Sequence, residues 1–394
     1  MKKRILFVIN SLGCGGAEKS LISLLGLMDY EKYDVTLYMF RHDGMFLPLL
    51  PKEVHIHEKS AYTEFCSKSG AGQLLSFDFK KLRARIRTSL YLRKNAKSEN
   101  PLHDAQVYWK YSGEAFDVIL EKYDAAIAWG QGTPTHFVAE KVNADKKYAW
   151  VNVNYKSAGH NPNFDNRFYS EYDKIICVSD KLNQLFCEVF PAFADRIITI
   201  LDINNPEMIT RMADESCSYP GAHGKTIVTV GRIVPQKAYD IAIDAARILK
   251  SRGFDFHWYA IGDGSLRGEL EKRIADCSVS DCFTFLGARA NPYPYMKNAD
   301  IYVQTSRFEG YCLTLAEARM LNVPCVTTEF DVVHAQMLDG ENGLIVGMNA
   351  ESVADGIMRL AEDRELYAHI KDYLKHEKKG NTEEIEKIYA LLEG

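Results

Sequence analysis

Apolar residues in this chain fall into short β-branched or aromatic runs, each followed by a longer stretch in which they return every three or four positions. The short runs predict strands at 4–9, 34–39, 54–57, 125–129, 148–153, 174–178 and 197–201, and again at 226–230, 256–261, 282–286, 301–304, 324–327 and 343–346. The longer stretches predict helices, among them 17–28, 239–250, 265–277 and 313–321. Strand–helix alternation on this scale builds α/β parallel sheets covered by helices on both faces, because parallel neighbours need a crossover connection. Two such series predict two doubly wound lobes. Between them, Asn204-Asn205-Pro206 and Tyr219-Pro220-Gly221 are breaker clusters and mark the expected hinge. The division read this way is 1–204, 225–380 and a terminal helix at 381–394. That helix opens on Asn381-Thr382-Glu383-Glu384 and carries Ile385, Ile388 and Leu392 on one face, so its stripe must pack against something.

A length of 394 residues exceeds one hydrophobic core, in agreement with two lobes. With 46% hydrophobic and 26% charged residues, fibrous, collagenous and disordered classes are excluded. The net charge of −5 gives no global field for nucleic acid. Nine scattered cysteines, an odd number without metal-ligand spacing, argue for reduced thiols in a cytosolic compartment. The basic start Lys2-Lys3-Arg4 leads into an apolar run too short for a signal peptide, and no run approaches the ~20 residues that cross a bilayer.

Three segments carry candidate chemistry. Gly13-Cys14-Gly15-Gly16-Ala17-Glu18 follows the first strand and opens a helix. Adjacent glycines admit a close-lying group, and a helix N-terminus offers free N–H donors to a phosphate. Glu18 stands where the dinucleotide fingerprint needs its last glycine, so that motif fails, and a bare strand–helix turn is the competing reading. Val230-Gly231-Arg232 through Gln236-Lys237 leaves a strand at its carboxyl end, where open sheets bind ligands; Arg232 offers a bidentate fork and Lys237 a movable charge to a diphosphate, against the plainer reading of a solvated turn. Phe308-Glu309-Gly310-Tyr311-Cys312-Leu313 runs into a helix that bears Glu317. Eight helical steps would separate Glu309 from Glu317 by ~12 Å, which suits the two ends of an extended ligand and not the ~5–5.5 Å of a retaining glycosidase pair; ordinary surface and helix charges are the alternative. Gly262, in Ile261-Gly262-Asp263-Gly264, is a weaker candidate at another strand end.

With these motifs in this order, the chain resembles the retaining family 4 glycosyltransferases of the GT-B fold, and looks most like bacterial members that build polysaccharides and other glycans. The resemblance implies two Rossmann-like lobes facing across a cleft, with the terminal helix packing back on the first. It implies transfer of a sugar from a nucleoside-diphosphate sugar, UDP-linked, to a glycan or polyprenyl-linked acceptor, with no metal and no other cofactor. Arg232 and Lys237 would bind the diphosphate and stabilise the leaving group, Glu309 would contact the donor sugar, and Glu317 the ribose. Gly15, Gly16, Gly231, Gly262, Gly310, Tyr311, Cys312 and Leu313 would line the donor. The family's histidine in the first lobe is missing where Asn152-Val153-Asn154-Tyr155 stands, which makes Asn154, His136 and His160 the acceptor-side candidates. Lys237 is followed by Ala238 instead of the common glycine, and Cys312 and Thr314 replace a frequent glycine and proline. Other readings are a catalytically silent nucleotide-sugar-binding protein and a sugar-nucleotide epimerase of the same architecture.

The stretch 79–97 holds eight basic residues and no acidic one, with Leu82, Ile86 and Leu90 at four-residue spacing. Such a helix is a peripheral-membrane pattern, directed at the anionic inner face of the cytoplasmic membrane. The alternatives are that its stripe packs on the first lobe, or that it forms a groove for an acidic soluble acceptor.

Overall fold

The computed structural model describes residues 2–13, 15–69, 73, 78–95 and 101–394. Cys14 of the first glycine turn and positions 96 and 97 of the basic stretch lie outside them. The chain divides into two compact units, Met1–Ile203 with Thr382–Gly394, and Asn204–Asn381.

In the first unit β1 (Lys3–Ile9), β2 (Tyr33–Met39), β3 (His55–Ile56), β4 (Ile119–Ala128), β5 (Val142–Val151), β6 (Lys174–Cys177) and β7 (Ile197–Thr199) form one sheet in the order β3-β2-β1-β4-β5-β6-β7. All pairs are parallel, with Lys3 opposite Tyr33 and Ile5 opposite Ala125. Ile5, Leu6, Phe7 and Val8 are fully buried, as a strand covered on both faces requires. Each predicted strand exists, but β4 and β5 begin six residues before the predicted 125 and 148. Their first halves are largely solvated, with charged Glu121, Lys122, Asp145 and Lys146, so apart from the short Val118-Ile119-Leu120 no apolar run announces them. Mutual pairing and a Lys122–Asp145 ion pair at 2.7 Å extend them instead.

In the second unit β8 (Lys225–Val230), β9 (Phe256–Ile261), β10 (Phe283–Gly287), β11 (Ile301–Gln304), β12 (Cys325–Thr328) and β13 (Leu344–Val346) form a parallel sheet in the order β10-β9-β8-β11-β12-β13. Its core gathers Ile227, Trp258, Val303 and Val326 under the helices Tyr239–Ser251 and Ala350–Glu362. The segment read as a hinge belongs to this unit: after Asn205 caps it, the helix Pro206–Ala213 packs against the helices Tyr293–Lys297 and Leu313–Met320. The unit therefore begins at Asn204 and not at 225. The terminal helix, Glu384–Glu393, joins the first unit, where Tyr389 stacks on Tyr33 at 5.3 Å and the Tyr148 hydroxyl donates to the Leu391 carbonyl at 2.5 Å.

In both sheets strand order reverses direction between two adjacent strands, β1 and β4 in the first and β8 and β11 in the second. Loops leaving the carboxyl ends of such strands diverge and open a crevice. The first glycine turn follows β1; the Arg232–Lys237 loop follows β8 and the Glu309 loop follows β11.

Candidate active site

The second unit brings Lys237 and Glu309 together. The Lys237 ammonium donates to Glu309 Oε1 at 2.6 Å, and Gln236 Nε2 reaches Oε2 at 3.2 Å. The Ser306 hydroxyl donates to the same carboxylate and is itself fixed by Gln304 Nε2 at 2.7 Å. With side-chain exposures of 12% and 6%, Lys237 and Glu309 form a nearly buried ion pair whose carboxylate accepts three hydrogen bonds. Burial pulls the lysine pKa down, but the Glu309 charge and hydrogen bond outweigh it and the net direction is upward; the nearby Arg232 charge opposes them. Arg232 is exposed, and no hydrogen bond or ion pair of its guanidinium is found among the described residues. One cation is thus neutralised and stored, while its neighbour points a five-donor fork at solvent.

Close backbone approach frames this pair. A Cβ on Gly262 would lie 1.9 Å from the Gly231 carbonyl oxygen, and one on Gly264 would lie 2.3 Å from that of Ile233. Two left-handed residues punctuate the loops. Ala238, at φ +48°, caps the helix Tyr239–Ser251, and Cys312, at φ +71°, caps the helix Leu313–Met320. Neither cap uses a side-chain hydrogen bond, so the first-turn N–H groups of both helices stay uncovered by a cap side chain. Burial pushes the Cys312 thiol up to about 12, so it is a packed thiol and not a nucleophile. Gly310, Tyr311 and Leu313 flank it, each half-buried. Glu317 lies within the same helix at 1% exposure and accepts from the Tyr293 hydroxyl at 3.4 Å.

In the first unit the Glu18 carboxylate folds back over the glycine turn. A Cβ on Gly15 would lie 2.2 Å from Glu18 Oε2, the end of a flexible side chain that can swing aside, so this contact alone does not require glycine there. Gly16 is exposed and opens the helix Gly16–Leu25. Asn154 is half-buried, and its Oδ1 accepts from the amides of Lys156 and Ser157 at 3.1 and 3.3 Å. His136 corrects the sequence reading: it is 0% exposed, so its ring has no face to offer an acceptor. Its Nε2 bonds Asp165 Oδ1 at 2.8 Å, while the Tyr155 hydroxyl donates to Oδ2 at 2.6 Å. His160, with a side chain 4% exposed, lies 3.6 Å from the same carboxylate and stacks on His103 at 4.0 Å. Burial lowers the His136 pKa below its ordinary value despite Asp165. Burial also acts to raise Asp165, but its hydrogen bonds win and hold it well below the usual carboxylate range. This is a buried anion with its donors, a core feature of the unit.

No group of three or more His, Cys, Asp or Glu side chains arranged to hold a metal occurs among the described residues. Asp165, Ser306 and Gln304 were not singled out from sequence; each matters through a partner distant in the chain or at a strand end, which no local pattern reveals.

Residues 221–377 match the family model of glycosyl transferases group 1. This group 1 match lies within the second unit and includes Arg232, Lys237, Glu309 and Glu317. An uncharacterized glycosyltransferase of Methanocaldococcus jannaschii is 27% identical over 208 residues, 51% of this chain and 54% of that protein. Poly(ribitol-phosphate) alpha-N-acetylglucosaminyltransferase of Staphylococcus aureus is 28% identical over 246 residues, 60% of this chain and 47% of that protein. The matches thus span about half the length of these relatives. Among solved structures, Anabaena HepE in complex with UDP and glucose is similar with a TM-score of 0.69 at 18% identity, over 99% of each chain. The fold is therefore GT-B, two Rossmann-like α/β units, as the sequence predicts.

Proposed function

We propose that the protein is a retaining, metal-independent hexosyltransferase that moves a sugar from a UDP-linked donor to a glycan or polyprenyl-linked acceptor on the cytoplasmic side of the membrane. One observation carries the reading: at the switch point of the second sheet a nearly buried Lys237–Glu309 pair stands beside an exposed Arg232 without a protein partner among the described residues. An arriving diphosphate completes this arrangement. Arg232 forks onto its oxygens, and Lys237 exchanges Glu309 for phosphate. The Glu309 carboxylate, released from its lysine, then accepts hydrogen bonds from hydroxyls of the transferred sugar. Glu317, 1% exposed in the free chain, takes the ribose once donor binding uncovers it, and Gly231, Gly262, Gly310, Tyr311, Cys312 and Leu313 line the donor. Support for UDP comes from HepE, solved with UDP and glucose.

In the transfer, the acceptor hydroxyl oxygen bonds to the anomeric carbon on the face the diphosphate leaves. The carbon–oxygen bond to the diphosphate breaks with its electron pair on the departing oxygen, and the hydroxyl proton passes to that oxygen. Charge accumulates on the diphosphate, and the two cations with the uncovered amides at the 313–320 helix start stabilise it without a divalent ion. The proposal keeps Asn154 as an acceptor-side group and Gly15 and Gly16 as donor-binding residues of the first unit; His136 and His160 act only by shaping the fold. The exposed basic helix Phe79–Asn95 carries the protein to an anionic membrane.

The test is a thermal-shift panel of nucleoside diphosphates and their sugars, followed by transfer assays with and without EDTA. UDP and a UDP-sugar raise the melting temperature, and transfer survives EDTA. Loss of transfer in EDTA that magnesium or manganese restores removes metal independence. Binding without turnover would make the chain a silent binder, and a 2-epimer as product would make it an epimerase.

A further inference from the structure

The loop 309–312 is gripped by Lys237 at one end and, at the other, by a side chain from a different part of the unit. Gln336 follows the 3-10 turn Val333–Ala335 and is 7% exposed. Its Nε2 donates to the carbonyl of Tyr311 and lies 3.4 Å from that of Cys312, while its Oε1 accepts from Arg319 Nη1 at 3.2 Å. The carboxamide has one consistent orientation, since a guanidinium only donates and carbonyls only accept. Arg319 is fixed in turn, because its Nη2 donates to Glu377 and both side chains are 13% exposed. Asn342 Nδ2 donates to the same Glu377 oxygen at 2.9 Å.

The clamp closes on the carbonyl next to, and the carbonyl of, Cys312, a non-glycine residue held at φ +71°. Such a conformation persists only where the surroundings over-determine it. The Cys312 carbonyl also accepts from the Leu315 amide at 3.1 Å, so the clamp and the first turn of the helix Leu313–Met320 share that carbonyl. Glu309 lies three residues before the clamped cysteine.

We infer that Gln336 is a positioning residue: oriented by the Arg319–Glu377 pair, it fixes the 309–312 loop so that the Glu309 carboxylate is preset for the transferred sugar. Its catalytic consequence rests on the proposed donor site, whereas its hold on the loop does not. Two variants separate hydrogen bonding from packing: Gln336→Ala removes the side chain, and Gln336→Met keeps its length without its polar atoms.

The first measurement is hydrogen exchange by mass spectrometry on the ligand-free full chain. Both variants exchange roughly tenfold faster in peptides covering 306–315, with the strands of the second unit unchanged as a control for folding. Wild-type protection of 306–315 in both variants overturns the inference, and wild-type protection in Gln336→Met alone reduces the residue to packing. The second measurement uses UDP and UDP-glucose as probes. UDP affinity stays within about twofold while kcat falls roughly tenfold, the split expected of a residue that places a sugar-binding group. If the wild type binds no UDP, the donor reading fails and the exchange result still decides the clamp. An equal loss of UDP affinity and kcat, with the loop still protected, also overturns the inference.

Discussion

Arg232 and Lys237 differ in what surrounds them, and their replacement separates binding from folding. Lys237→Ala leaves Glu309 buried with only Ser306 and Gln236 to satisfy it, at a cost of about 1–3 kcal/mol in the second unit. Lys237→Ala combined with Glu309→Gln recovers most of that, because the uncompensated charge is gone. Arg232→Ala, at an exposed position, leaves stability unchanged. Urea denaturation of the three variants checks this, and turnover in each single variant falls by roughly two orders of magnitude if both groups stabilise the leaving diphosphate. Equal destabilisation by the two alanine variants contradicts the stored-pair picture. A second residue-scale consequence concerns pH. His136 has a folded pKa below its ordinary value near 6.5, so the unfolded chain takes up the proton first. Stability of the first unit is therefore fully present above about pH 6.5 and declines as pH falls toward the folded pKa, by at most ~1.4 kcal/mol per pH unit for this group. Asp165, His160 and Glu140 act on the ring, and His103 and His42, also lowered mainly by burial, add to the slope. His136→Gln, which keeps a donor for Asp165, flattens the fall in urea midpoint between pH 7.5 and 5.5; an unchanged slope removes His136 as its source.

At the scale of elements, the helix Phe79–Asn95 shows how a periodic pattern needs the fold to be interpreted. Its stripe is only partly packed away: Ile86 and Leu90 are 50% and 59% exposed, Leu82 is half-buried and Phe79 beside them is 74% exposed, while Ala84 and Thr88 form its buried side. Arg83, Arg85, Arg87, Arg93 and Lys94 are exposed as well, and Tyr91 stacks on Tyr111 at 4.1 Å. Apolar and basic groups thus share the solvent side, the arrangement of an interfacial helix. Each basic residue near an anionic surface contributes ~1 kcal/mol, and three exposed apolar side chains add insertion. The full chain is expected to co-sediment with liposomes containing anionic lipid at low salt, weakly at high salt, and not with neutral liposomes. The triple change Phe79→Ser, Ile86→Ser and Leu90→Ser weakens binding and makes what remains more salt-sensitive, with little effect on melting temperature. Equal, negligible sedimentation in every condition takes the membrane out of the account. The two glycine substitutions at left-handed caps also belong at this scale. Ala238→Gly and Cys312→Gly relieve ~1–2 kcal/mol of backbone strain against ~0.5–1 kcal/mol of added unfolded-state entropy and the lost side-chain packing. Each is expected to change the urea-derived stability by less than about 1 kcal/mol, and a loss above about 2 kcal/mol in either would mean that packing, not backbone strain, dominates there.

For the whole molecule, the last thirteen residues belong to a unit whose other residues end at Ile203. Ile385, Ile388 and Leu392 are 8%, 3% and 5% exposed against the first unit, and Lys3 donates to the Leu392 carbonyl at 2.7 Å. The chain therefore crosses between the units twice. Ile388→Ala is expected to cost about 2–4 kcal/mol in the first unit and nothing in the second, as read by hydrogen exchange resolved to each sheet. Equal loosening of both sheets would contradict the assignment of the helix to the first unit.

The amino-acid sequence by itself determined the α/β class, the strands and the two series they fall into, because buried parallel strands must be apolar runs and parallel connections must be helical. It also determined which glycine turns and loops leave strand ends, and so located Arg232, Lys237 and Glu309 as residues of interest. Only the tertiary structure decided that Lys237 and Glu309 touch, since they lie on separate loops brought together by the pairing of β8 with β11. The same holds for Gln336 against Tyr311, and for His136, a polar residue in sequence that is buried against Trp109, Phe164 and Phe168 with Asp165 as its partner. Periodicity reports which side of an element is apolar, but not what covers it. The terminal helix and the 79–95 helix both carry such a stripe, and the fold buries one and leaves most of the other facing solvent.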